Sequence, residues 1–207
     1  MNYKRMFPSY KIGVVIFPGS NCDTETVKLF EYMELDVQRI WHKDPVPKCD
    51  LYVLPGGFSY GDYMRSGALA SYSPAMSAIK QYAADGRKVL GICNGFQILC
   101  ESGILPGTLT RNDSNQFICQ SIMIKNLSHQ HYFIPIANKD GKYYSEHEVN
   151  IAYKYAYLFA GLETEIAGIY NDAGNVLGMM PHPERAFARY HCSDDGVKIV
   201  TDFLNKD

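Results

Sequence analysis

The first ninety-odd residues alternate short apolar runs with longer amphipathic ones. Ile12 to Phe17 is almost unbroken hydrophobic sequence, which predicts a strand buried on both faces. Asp23 then offers an N-cap to a helical period carried by Val27, Leu29, Phe30 and Met33. Val37 to Trp41 and Leu51 to Leu54 read as two further strands, the second halted by Pro55-Gly56-Gly57. An amphipathic segment from about Ser73 to Ala84 precedes the apolar run Lys88 to Ile92, which leads into another helical pattern. Strands alternating with helices predict an α/β protein with a largely parallel central sheet flanked by helices. In such sheets ligands sit beyond the carboxyl ends of the strands, where Ser20, Gly57 and Cys93 fall.

The pattern changes after Arg111. Phe117 to Ile124, Tyr132 to Ile136, Ile151 to Tyr157, Glu165 to Tyr170 and Val176 to Met180 are strand-like, several with period-two alternation. They are joined by turns such as Asn171-Asp172-Ala173-Gly174, and they predict additional antiparallel strands in the second half. Val197 to Leu204 reads as a closing helix. No linker composition divides the chain, so the expectation is an N-terminal extension, residues 1–10, and a single domain, residues 11–207.

Composition narrows the classes of function. At 207 residues and 46% hydrophobic content the chain can bury one substantial core. A formal charge of -2 with interspersed acids and bases leaves no basic stripe, so no nucleic-acid partner is expected. No apolar run reaches membrane-spanning length, and residues 1–10 lack the apolar core of a signal peptide. The six cysteines form no C-x-x-C pair, which predicts reduced thiols in a soluble, cytoplasmic protein.

The candidate chemistry lies at two corners. Cys93 follows an apolar strand, with Gly91 and Gly95 two residues away on either side. Glycines there remove Cβ atoms that would clash at a strand-to-helix elbow, so that a thiol can project outward beside the N–H groups of a starting helix. Alone, this cysteine reads equally well as a small buried hydrophobe. The second corner, Pro181-His182-Pro183-Glu184-Arg185, sets a histidine and a carboxylate two residues apart, and a strand-end conformation would put both on one side. Thiol, base and orienting carboxylate are then all present. Cys22 and Cys100 read as packing residues, and His129, His131 and His147 as surface residues without metal-ligand spacing.

Together, G-x-C-x-G-x-Q and P-H-P-E resemble the glutaminase domains of class I, triad-type glutamine amidotransferases. The stretches Phe17 to Asp23, Leu54 to Tyr63, Gly91 to Gln97 and Gly178 to Arg185 resemble, more narrowly, the stand-alone glutaminase subunits of phosphoribosylformylglycinamidine synthase. The likeness covers nearly the whole chain and implies a flavodoxin-like fold. It implies Cys93 as nucleophile, His182 as base and acid, Glu184 as the group orienting His182, and an oxyanion hole from backbone N–H groups of Gly57 and Asn94. Gln97 and Phe58 are the substrate-binding residues it suggests, with Gln97 at the amino-acid end of L-glutamine. An exposed helix position remains the alternative for Gln97, and an ordinary loop for the segment from Phe58. No cofactor is expected on this chain, which has no P-loop, and the ATP that the resemblance implies is therefore expected, with Mg, on a partner. The implied partners are the large synthetase subunit of that synthase, together with its small bridging subunit, in de novo purine biosynthesis. Asn138 and Lys142 depart from the family's usual histidine and arginine. Three alternatives stay open: a glutaminase subunit of another amidotransferase, a free-standing cysteine γ-glutamyl hydrolase, and a non-catalytic thiol-bearing module.

Overall fold

A computed structural model describes residues 3–159, 161–188 and 190–206. Met1 and Asn2 of the expected N-terminal extension lie outside the described residues. The chain runs α1 (Tyr3–Met6), β1 (Lys11–Ile16), α2 (Asp23–Tyr32), β2 (Asp36–Trp41), β3 (Leu51–Leu54), α3 (Ala68–Ser71), α4 (Pro74–Ala84), β4 (Lys88–Ile92) and α5 (Asn94–Glu101). There follow β5 (Thr108–Thr110), β6 (Ile118–Asn126), β7 (His131–Asn138), β8 (Lys142–Tyr144), β9 (Asn150–Tyr155), β10 (Ile166–Tyr170), β11 (Val176–Met179) and α6 (Asp195–Asn205).

Nine strands form one sheet in the order β2-β1-β3-β4-β11-β10-β9-β6-β7. From β2 to β11 neighbouring strands are parallel, and from β11 onward each pairing is antiparallel. The apolar runs explain the division. β3 and β11 are buried along their whole length, as parallel strands covered on both faces must be, whereas β7 alternates buried and half-buried positions with one face toward solvent. Phe7, from the segment before β1, is buried in the same core.

Local chemistry sets the helix starts. Pro74 opens α4, where a missing N–H costs nothing. Asp23 does not cap α2, as the apolar pattern suggested, because Cys22 holds the cap position and makes no side-chain cap bond. Asp23 and Glu25 instead occupy the first turn, where carboxylates complement the positive helix end.

The tightest junction joins β3, β4 and α5. A Cβ on Gly95 would lie 1.9 Å from the Leu54 carbonyl oxygen, so only glycine lets α5 start this close to the end of β3. The junction carries Cys93 between β4 and α5.

Candidate active site

Cys93 is strained. Its φ of 50° and ψ of -104° put a non-glycine residue in a sparsely populated region, at a cost of about 1–3 kcal/mol that the surrounding bonds must hold. Its N–H donates to the Met179 carbonyl at 2.8 Å, and its own carbonyl accepts from the Gln97 N–H at 3.1 Å. The sulfur does not project freely into solvent as the elbow pattern suggested. Cys93 is only 5% exposed, and its S–H donates to the Ala137 carbonyl at 3.6 Å, because β7 passes over the elbow.

His182 and Glu184 meet through a turn, where a strand end had been expected. Pro183 to Arg185 form a short 3-10 helix with Pro183 at its start, and the tightened chain brings Glu184 Oε1 to 2.6 Å from His182 Nδ1. Both side chains are buried. The His182 backbone N–H donates to the Pro135 carbonyl at 2.9 Å, so carbonyls two residues apart on β7 receive both the His182 loop and the Cys93 thiol. Burial works against charging His182, but the Glu184 carboxylate, and after it Cys93, prevail and hold the imidazole well above its ordinary pKa. Nε2 makes no hydrogen bond of ordinary length among the described residues and is the nitrogen open to proton exchange.

Two loops meet beside these groups. The Cys22 N–H donates to the Gly56 carbonyl at 3.2 Å, and the Phe58 N–H to the Gly19 carbonyl at 2.8 Å. The Gly57 N–H between them, with φ at 135°, donates to no described residue, and neither does the Asn94 N–H at the start of α5. The Phe58 ring is 44% exposed and faces Phe117 at 6.3 Å.

Gln97 is not an exposed helix residue. It is 6% exposed, accepts from Asn94 Nδ2 at 2.9 Å and donates to the Asp140 carbonyl at 2.7 Å. Asn94 Oδ1 in turn accepts from the Ser59 N–H at 3.1 Å. These amides tie α5 to the turn at residues 59–62 and to the loop after β7. In that turn Tyr60, Gly61 and Asp62 all have positive φ, and burial pushes the Asp62 carboxyl up to about 6, with Ser66 opposing and Asp140 adding to the shift.

Some groups escaped the sequence reading. Cys22 lies in the P-G-S-N-C-D stretch, yet its sulfur accepts from Arg185 Nη2 at 3.1 Å and sits with His182 and Glu184 in one buried cluster. The rule that marks Ser20 and Gly57, location beyond a strand's carboxyl end, also covers Cys22. Asp140 carried no motif signal. Asn138 is buried with neither amide atom partnered among the described residues, while Lys142 pairs with Asp113. His129, His131 and His147 are exposed, as expected.

Cys22, His182 and Glu184 offer ligand atoms within 4.8 Å of one another, the donor set most suited to a metal among the described residues. The positive Arg185 guanidinium donating to that sulfur opposes a cation there. A cleft of about 800 Å³ bordered by Asn126, Ile151 and Tyr170 lies at the opposite end of the strands from Cys93, and none of Cys93, His182 and Glu184 lines it.

Residues 9–140 match the CobB/CobQ-like glutamine amidotransferase domain, a stretch that holds Cys93 and ends before His182. The chain is 42% identical over 221 residues to the phosphoribosylformylglycinamidine synthase subunit PurQ of Sulfurimonas denitrificans, covering 94% of this chain and 99% of that protein. It is 43% identical over 210 residues to the same subunit of Novosphingobium aromaticivorans, covering 91% and 93%. A chain in the structure of PurLQS from Thermotoga maritima superposes with a TM-score of 0.91 at 36% identity, covering 95% of this chain and 98% of that one. A glutamine amidotransferase of Thermotoga maritima, at 15% identity and a TM-score of 0.60 with 86% of this chain and 77% of that one covered, shares the fold. Matched along nearly its whole length by relatives of its own size, the chain belongs to the PurQ family, the glutamine amidotransferase subunits of phosphoribosylformylglycinamidine synthase.

Proposed function

We propose that this chain is the glutaminase subunit of phosphoribosylformylglycinamidine synthase in purine biosynthesis, with Cys93, His182 and Glu184 as its triad. The observation that carries the reading is the strained Cys93 at the start of α5, beside a buried His182 held by Glu184 at 2.6 Å. Cys93 Sγ attacks the side-chain amide carbon of glutamine. Charge developing on the amide oxygen is received by the Gly57 and Asn94 N–H groups, each such donor lowering the barrier by about 3 kcal/mol. His182 Nε2 gives a proton to the departing ammonia and then takes one from the water that cleaves the thioester, releasing glutamate. Glu184 keeps the Nδ1 proton in place and stabilises the imidazolium.

Gln97 and Phe58 border the glutamine pocket. After its two internal bonds the Gln97 amide retains one hydrogen and one lone pair for substrate, and the Phe58 ring forms the exposed rim. ATP and Mg act on the partner synthetase. The two chains are bridged by a small third subunit, and ammonia passes internally to turn phosphoribosylformylglycinamide into the amidine while ATP becomes ADP and phosphate. The chain works in the cytoplasm as one domain, residues 11–207, behind a short extension, residues 1–10.

Cys93→Ala tests the division of labour. In the assembled synthase it is expected to abolish glutamine-dependent synthesis and leave synthesis from ammonium salts intact. Loss of both activities in a correctly assembled complex would refute the reading, and full glutamine turnover by the isolated chain would favour a free-standing hydrolase.

A further inference from the structure

Cys22 stands against the base, and the mechanism leaves it unused. It is 3% exposed, and its sulfur lies in the buried cluster formed with His182 and Glu184. A Cβ built on Gly56 would be 2.9 Å from His182 Cε1 and 3.2 Å from Cys22 Sγ, so ring and sulfur press on the same glycine from two sides. The sulfur accepts from Arg185 Nη2 at 3.1 Å, and Arg185 follows directly on Glu184 in the loop that carries the base. The Cys22 N–H reaches the Gly56 carbonyl at 3.2 Å, next to the N–H of Gly57.

We infer that Cys22 is a positioning residue for the amidotransferase reaction: its side chain holds the His182 loop while its backbone holds the Gly57 loop, fixing the base against the oxyanion-binding N–H groups. The inference rests on the triad reading and extends it. Two halves of the site arrive on strands that are not paired with each other and lie far apart in the chain, Gly57 after β3 and His182 after β11, with β4 between. Reaction requires the proton carrier and the oxyanion donors to be placed together within a fraction of an ångström, and Cys22 contacts the His182 loop through its sulfur and, through its N–H, the carbonyl of the peptide that carries the Gly57 N–H. Its sulfur also adds, after Glu184 and Cys93, to the proton affinity of His182, which burial opposes.

The test uses the assembled synthase carrying Cys22→Ala or Cys22→Ser, with Cys93→Ala as reference. Cys22→Ala is expected to lower glutamine-dependent kcat about 10- to 100-fold with KM nearly unchanged, the size of loss that follows from misplaced reacting groups. Ammonium-dependent kcat should be unaffected. The alkaline limb of the glutamine-dependent pH profile should move to lower pH, since the imidazolium loses a supporting neighbour, and serine, which can still accept from Arg185, should restore part of kcat. An unchanged kcat and alkaline limb in Cys22→Ala, or a rise in KM alone, would overturn the inference. If Cys22→Ala does not assemble, Cys22→Ser decides: a wild-type alkaline limb and kcat overturn the inference, and a displaced limb with reduced kcat supports it. Glutamine turnover surviving Cys93→Ala would strike the triad itself, a failure distinguishable from that of Cys22.

Discussion

Glu184 is fully buried, with one oxygen on His182 Nδ1 and the other without a partner among the described residues. The carboxylate's use is therefore concentrated on one imidazole. Glu184→Gln keeps the volume but removes the charge and can present an N–H to Nδ1, favouring the wrong tautomer. It should lower kcat for glutamine hydrolysis by about 10²–10⁴ and change KM little, whereas His182→Ala, which removes the proton carrier, should approach the loss seen without Cys93. A raised KM with unchanged kcat in Glu184→Gln would make Glu184 a substrate-binding residue. At this scale Cys93, His182 and Glu184 could be singled out because each sits in a short motif whose glycines and prolines betray its backbone. Cys22 was not, since His182 and Arg185 lie some 160 residues further along the chain.

Among the elements, the apolar or periodic ones matched expectation to within a few residues: β1, β3, β4, α4 and α6 among them. The short ones were missed. α3, β5 and β8 have three or four residues, too few to repeat a period convincingly, and exist because neighbours hold them. The junction of β3 with α5 is the element-scale counterpart of the triad. Gly95→Ala forces a methyl onto the Leu54 backbone carbonyl, which no rotamer can relieve, and should cost about 3 kcal/mol. A lowered urea midpoint together with lost glutaminase activity is the expected result, and an unchanged midpoint would show that α5 can step back without penalty.

Over the whole molecule, stability depends on pH through groups that folding perturbs. Asp62 has an unfolded pKa of about 3.9, while burial, with Asp140 adding, raises the folded value to about 6. Between these values the folded state binds more protons than the unfolded state, so this group's contribution falls as pH rises from about 4 to 6, and its penalty is complete above that. Asp62→Asn should therefore flatten the pH dependence of the thermal midpoint in that window and raise the midpoint at neutral pH. The same slope as wild type would mean that the carboxylate is better solvated than its place beside Asn94 and Asp140 indicates. The sequence by itself determined the α/β class, the parallel first half and the antiparallel second half, and it singled out the thiol, imidazole and carboxylate proposed as the triad, because periodicity and local motifs depend on neighbours in the chain. Only the tertiary structure decided that β7 closes over Cys93, that Gln97 is locked between Asn94 and Asp140, and that Cys22 stands against His182. Those contacts join segments far apart in the chain, and packing of the whole sheet, not any local preference, brings them together.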